Sequence, residues 1–220
     1  MTYQVNDAVS ATNNDLSTED DVAPVRLSLR ERQQRRTHQD LVQATLDVIS
    51  ELGLKHTTIQ RITSRAGTSR ATLYAHFPEG RDQVYAHAYR TLGNRLIHRA
   101  EQLAAEQPDW VSRLCAYVQA MVELASHQKL GLFYNVSGPR LAGMKYRGSG
   151  SQRTLDVFVD ELRTAQSSNE ISPDLDIESI AALLVGCIRE AGIDTSRDPE
   201  VATQRLAAFR QLLEALKTAT

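Results

Sequence analysis

Along this 220-residue chain, apolar side chains recur at three- and four-residue steps, and no stretch reads as a strand with the two-residue period. The pattern predicts an all-α fold of about nine helices. Ser28 and Glu31 stand at capping-box spacing ahead of Leu41, Val42, Thr45, Leu46, Val48, Ile49 and Leu52. A first helix is expected over 29–52, ended by Gly53 as a left-handed cap. Thr58 can cap a short helix with Ile59, Ile62 and Ala66 inward, and Ser69 a second that buries Leu73 and Phe77. Gly67 between them permits the positive φ of a tight turn, which defines a helix-turn-helix closed by Pro78 and Gly80. Further helices are expected over about 81–105, 109–127, 129–136, 151–167, 176–193 and 199–217.

Two of these helices are more apolar than a surface helix needs to be. In the segment 109–127, Trp110, Leu114, Tyr117, Met121 and Leu124 form one stripe, with Val111, Cys115, Val118, Val122 and Ala125 beside it. So wide an arc predicts a central helix. The run IAALLVGCI is apolar nearly all round, and Leu206, Phe209, Leu213 and Leu216 follow a three-four repeat. That pair looks like more apolar surface than one chain covers, so Leu184, Ile188, Leu206, Phe209, Leu213 and Leu216 are expected at a dimer interface built as a four-helix bundle. A monomer core fits IAALLVGCI equally. Between them, SGPRLAGMKYRGSGS reads as a Gly/Ser-rich loop long enough to act as a gate.

The net charge of −2 conceals a strong asymmetry. Residues 1–25 hold five acids and no Lys or Arg; residues 26–99 hold thirteen Lys or Arg against six Asp or Glu; residues 100–220 hold twelve against sixteen. A basic block flanked by acidic ones is the footprint of a nucleic-acid-binding module joined to something else. The chain therefore divides into an acidic tail (1–25) expected to be disordered, a nucleic-acid-binding domain with the helix-turn-helix (26–80) and a larger helical domain (81–220). Cys115 and Cys187 lie in apolar contexts, and neither Cys nor His shows metal-ligand spacing, so no metal and no cofactor is expected. No run is apolar enough for a membrane span and the N-terminus is acidic, which points to a cytoplasmic protein. No nucleophile-base pairing or phosphate-cradling loop suggests an enzyme.

The block GLKHTTIQRITSRAGTSRATLYAHFPEGRDQV resembles the DNA-binding domain of TetR-type (tetracycline-repressor-like) transcriptional regulators, most specifically at AGTSRATLYAHF. The resemblance is strong over about residues 36 to 90; beyond it, only length and helical layout agree. It implies a homodimer on a pseudo-palindromic operator in double-stranded DNA. With Leu73 inward, Ala71, Thr72 and Tyr74 point away and Arg70 sits at the leading edge. Arg70 suits guanine O6 and N7, Thr72 a base edge or phosphate, and the Ala71 methyl a thymine methyl. Gln60 reaches for a base; Thr58 and Ser69, at helix starts, join the same surface. The family's motif assigns Tyr74 and His76 to phosphates. Gly80 and Arg81 stand where the family has Ser-Lys, so Arg81 takes over that phosphate contact, with Arg36 and its neighbours along the backbone. Thr63 and Thr68 replace apolar residues and predict a weakened helix-helix contact.

A small, largely apolar or aromatic effector is implied, with Trp110, Tyr117, Met121, Phe133, Tyr134 and Phe158 as lining candidates and release of a repressor as its effect. The alternative is a regulator of this type without an effector pocket, acting constitutively or through a protein partner.

Overall fold

The computed structural model describes residues 28–141 and 149–218. In chain order they form α1 (Leu29–Leu52), a 3-10 turn (Leu54–His56), α2 (Ile59–Arg65), α3 (Arg70–His76), α4 (Arg81–Ala105) and α5 (Trp110–Ser126). Then come α6 (Gln128–Leu132), a π-helical turn (Phe133–Ser137), α7 (Gly138–Leu141), α8 (Ser149–Ser167), α9 (Ile177–Arg197), a 3-10 turn (Pro199–Val201) and α10 (Ala202–Glu214). Because α6, the π turn and α7 follow one another without a break, the described residues hold nine helical runs, and the fold is all-α. The acidic tail falls outside the described residues, as does the middle of the expected gate loop; its first residues, Ser137 in the π turn and Gly138–Leu141 in α7, are helical, and α8 starts at Ser149.

Local chemistry sets the helix starts. Ser28 Oγ accepts from the Glu31 N–H at 3.2 Å while the Glu31 carboxylate accepts from the Ser28 N–H at 2.8 Å, a complete capping box. Asp109 and Asp176 cap α5 and α9 by accepting from Ser112 and Ser179 N–H groups at 2.9 and 3.1 Å. Gly53 ends α1 at φ 78°.

The helices enclose two apolar cores. Leu41, Ile49, Ile62, Leu73 and Phe77, all with 0% exposure, centre the first. Each contributes about 1.5–3 kcal/mol through burial. The second surrounds α5, which packs against α4, α6, α8, α9 and α10 and so occupies the centre. Helix α4, about 37 Å long, serves both: Val84, Tyr85, Ala88 and Leu92 belong to the first core and Ala100 to the second. The first core thus extends past residue 80 into α4. One outlier crosses the other way: Phe133, from the π turn, sits in the first core with 1% exposure.

The residues expected at a dimer interface pack within the chain itself. Leu184, Ile188, Phe209 and Leu213 are buried in the second core of their own chain, and Leu206 and Leu216 pack against it. The apolar arc of α9 is wide because α5, α6, α8 and α10 all pack on it. The three-four repeat of α10 faces α5. What these helices expose instead is Leu183 (72%) and Cys187 on α9 and Leu212 (51%) on α10. Among the described residues no helix is long and apolar enough to cross a membrane.

Candidate nucleic-acid interface and inner cavity

Two seven-residue helices build the outer site. Thr58 caps α2 by accepting from the Arg61 N–H at 3.3 Å, and Ser69 caps α3 by accepting from the Thr72 N–H at 3.0 Å. Between them Gly67 adopts φ 64°. The turn is locked by the Thr68 N–H, which donates to the Thr63 carbonyl at 2.9 Å. At Thr63, where a weakened contact was expected, the buried hydroxyl donates to the carbonyls of Ile59 and Gln60 at 3.0 and 3.1 Å and is satisfied inside its own helix. Leu73 and Phe77 anchor α3. Arg70, Ala71, Tyr74 and Ala75 are exposed, Thr72 is half-buried with its hydroxyl 2.9 Å from that of Ser69, and Thr58 and Gln60 are exposed beside them. Arg36 and Arg70 enter no ion pair among the described residues, which leaves both guanidiniums open to an anion.

The rim departs from expectation in two places. His76 is half-buried, its ring 6.0 Å from that of His38. His38 in turn lies 4.5 Å from the Phe77 ring, and its Nε2 is 3.2 Å from His87 Nδ1. Three imidazoles from α1, α3 and α4 thus pack around Phe77, a cluster invisible in sequence because its members are far apart. Burial holds His38 and His87 below the ordinary histidine range, reinforced at His38 by His87 and His76 and at His87 by Arg90. At position 80, a Cβ would meet Tyr74 Cε1 at 3.0 Å and φ is 69°, so glycine there makes room for the Tyr74 ring. Arg81 is exposed, 3.8 Å from the Asp82 carboxylate and 5.8 Å from the Tyr85 ring centre. The Tyr85 hydroxyl donates to the Thr57 carbonyl at 2.6 Å, which ties α4 to the start of α2.

The second core contains a cavity of about 220 Å3 bounded by α4, α5, the π turn, α8 and α9. Tyr117, Met121 and Tyr134 line it as expected; Trp110, Phe133 and Phe158 do not. Trp110 donates through Nε1 to Glu170 at 3.1 Å, and Phe158 packs edge-on against Tyr117 at 5.5 Å, so both complete the core wall. Ile188, expected at a dimer contact, lines the cavity, together with Tyr89 and Ile97 of α4, Asn135 of the π turn and Arg189 of α9. Tyr89 and Tyr134 stack at 5.1 Å. Burial raises all three phenols, that of Tyr117 to about 12, so they present protonated hydroxyls.

The comparisons agree with this geometry. Residues 41–88 match the family model described as "Bacterial regulatory proteins, tetR family". The HTH-type transcriptional repressor KstR2 of Mycolicibacterium smegmatis is 23% identical over 145 residues, covering 64% of this chain and 70% of the relative. A TetR-family regulator from Pectobacterium atrosepticum superposes with a TM-score of 0.70 at 18% identity, covering 86% of this chain and 97% of the other. FadR of Bacillus subtilis, solved in complex with stearoyl-CoA, superposes with a TM-score of 0.61 at 16% identity, covering 78% and 97%.

The chain carries the DNA-binding domain of the tetR family of bacterial regulatory proteins at residues 41–88 and shares the fold of TetR-family transcriptional regulators.

In this regulator the π turn joins the two cores. Phe133 enters the first, the adjacent Tyr134 faces the cavity, and the Asn135 amide donates to Ser196 Oγ on α9 at 3.2 Å. A Cβ on Gly192 would meet both Asn135 Oδ1 and Met121 Sδ at 2.7 Å, so the bare backbone there admits the turn. Nearby, Lys129 Nζ donates to the Glu51 carbonyl at the end of α1, and Arg95 donates to Gln43 at 2.5 Å. Sequence reasoning missed the α4 wall and Arg189. Periodicity marked the inward faces, and nothing in it distinguishes a packed face from one lining a void.

Proposed function

We propose that this regulator is a homodimeric, cytoplasmic repressor that places α3 of each protomer in successive major grooves of a pseudo-palindromic operator and is released by a small molecule bound in the cavity. Residues up to the start of α4 form the DNA-binding domain and those from α4 onward the regulatory domain. Arg70 reads guanine, with Thr72, Ala71 and Gln60 on neighbouring base edges. Tyr74, Thr58, Arg81 and Arg36 hold phosphates, and the exposed start of α3 at Ser69 faces the backbone. His76 contributes from the rim while its inner side rests on His38. The protomers meet through the outward surfaces of α9 and α10, where Leu183 and Leu212 are exposed. The repressor sign is supported by KstR2, and an effector by the FadR complex with stearoyl-CoA.

One observation carries the effector reading over a pocketless regulator: consecutive residues of one π turn sit in the cavity wall and in the core beneath α3. A ligand that moves Tyr134 moves Phe133, and with it the seat of the helix-turn-helix. Such coupling requires the ligand to bind one orientation of the recognition helices better than the other. The test starts with operator sequences selected by the purified protein. A library of small neutral and ionised molecules is then screened for release of the complex, in the wild type and in Ala100→Phe, which fills the cavity. Release of the wild type alone is expected. A wild type that no compound releases, or equal release of both proteins, excludes the cavity as the effector site.

A further inference from the structure

The polar side chains around the cavity can each donate a hydrogen bond. Tyr89, Tyr117 and Tyr134 contribute phenols, and none of their hydroxyls has a hydrogen-bond partner among the described residues. Arg189 adds a guanidinium that enters no ion pair among the described residues and lies close enough to Tyr89 to stabilise its anion. Among the described residues no Asp or Glu lines the cavity. Asn135, Ser151 and Thr154 add an amide and two hydroxyls, of which Asn135 donates to Ser196 and Thr154 to the Gly150 carbonyl, and the rest of the wall is apolar, with Leu96, Ile97 and Val185 prominent. Buried polar groups are ordinarily paired. Here a set of donors and an exposed guanidinium, with no carboxylate among the described lining residues, surrounds a largely apolar void.

We infer that the effector is a small organic acid, a single ring bearing a short carboxylate arm, with the ring among Ile97, Met121 and Tyr134 and the carboxylate on Arg189. This rests on the effector reading above and narrows its ligand class. Three observations carry it. Arg189 stands exposed at the edge of the cavity, so its guanidinium meets an incoming anion first. A carboxylate, which only accepts, matches a guanidinium and phenol hydroxyls, which donate. Size sets the ring: a void of about 150 Å3 holds benzene, so 220 Å3 admits one ring with a short substituent. A long acyl chain such as that of stearoyl-CoA exceeds this volume.

The experiment is calorimetric titration of the full-length protein at neutral pH with 3-phenylpropionate, its uncharged amide and stearoyl-CoA. The acid is expected to bind at least tenfold more tightly than the amide, and stearoyl-CoA not to compete. Arg189→Gln should bring acid and amide to equal affinity, and Arg189→Lys should restore part of the preference. Equal binding of acid and amide to the wild type overturns the acid assignment while leaving the cavity as an effector site. A preference that survives Arg189→Gln does the same for Arg189. Stearoyl-CoA competing with the acid overturns the size argument, and no binding by either ring probe overturns the ring-and-acid class. The effector reading itself stands or falls on the Ala100→Phe comparison.

Discussion

The two halves of this regulator use their apolar residues differently. Around the helix-turn-helix, Ile62, Leu73 and Phe77 fill the interior completely, and the chemistry is turned outward on Arg70, Tyr74 and Gln60. Around α5 the interior is larger and left partly empty, and its chemistry is turned inward on Tyr89, Tyr117, Tyr134 and Arg189. A filled core fixes the position of a reading surface, while a core with a void keeps a place whose occupation changes its packing. The two meet along α4 and at Phe133 and Tyr134.

The largest effect should come from testing which face of α10 belongs to which partner. Leu213 has 0% exposure inside the second core, so Leu213→Asp puts an unpaired charge in a dry site and should cost upwards of about 4 kcal/mol. Loss of the thermal transition is the expected readout. Leu212→Asp, one residue along and half exposed, should leave the melting of the protomer intact and shift sedimentation toward the monomer. If Leu212→Asp remains a dimer, the protomers meet elsewhere.

Next in size is the bridge itself. Phe133→Ala removes a buried ring from the first core and should destabilise by about 3–5 kcal/mol. Phe133→Leu keeps most of the volume and should cost roughly 1 kcal/mol. It should bind operator and effector separately yet lose most of the effector's influence on operator affinity. Full retention of that coupling would sink the π turn as the link. Arg70→Ala then tests the outer surface alone: operator affinity should fall by about 1–3 kcal/mol with relaxed preference at one base pair, and effector affinity should not change. Unchanged preference in a binding-site selection would remove Arg70 from base reading.

The contrast between the halves also decides what could be read from sequence. The helix-turn-helix was legible because its determinants are local: a cap at Thr58, a positive φ at Gly67, a cap at Ser69 and apolar residues on one face of each short helix. Its rim was less so, since His38, His76 and His87 meet only through the packing of α1, α3 and α4. In the second core, the inward direction of Leu184, Ile188, Phe209 and Leu213 was legible, but whether inward meant a neighbouring helix, a copy of the chain or a cavity depends on distant elements. Arg189 carried no periodic signal, because a single charge flanking an apolar face looks like ordinary solvation. The π turn was hidden as well: one extra residue per turn leaves the local pattern helical, while Phe133 enters the first core and Tyr134, packed against both cores, lines the cavity.

The smallest expected effect separates the two cores by pH. His38 and His87 titrate below their ordinary 6.5 in the folded protein, so each unfolded histidine binds a proton before its folded counterpart does. Their contribution is whole above pH 6.5 and declines as the pH falls below it. The carboxylates held low by caps and ion pairs, such as Glu31 and Asp109, lose their contribution only below their ordinary 4.5 and 3.8, which leaves an intervening window to the histidines. The cluster packs on Phe77 at the edge of the first core, and Trp110, the single tryptophan, lies in the second. Between pH 6.5 and 4.5 the melting transition followed by circular dichroism should move down, and His38→Gln with His87→Gln should flatten that slope. An unflattened slope removes the cluster as its cause. Tryptophan emission should hold its midpoint over the same window if the cores are separable. A midpoint that moves with the dichroism would show that the shared helix α4 fuses them into one cooperative unit, so that effector binding is felt across the whole protomer rather than through the π turn alone.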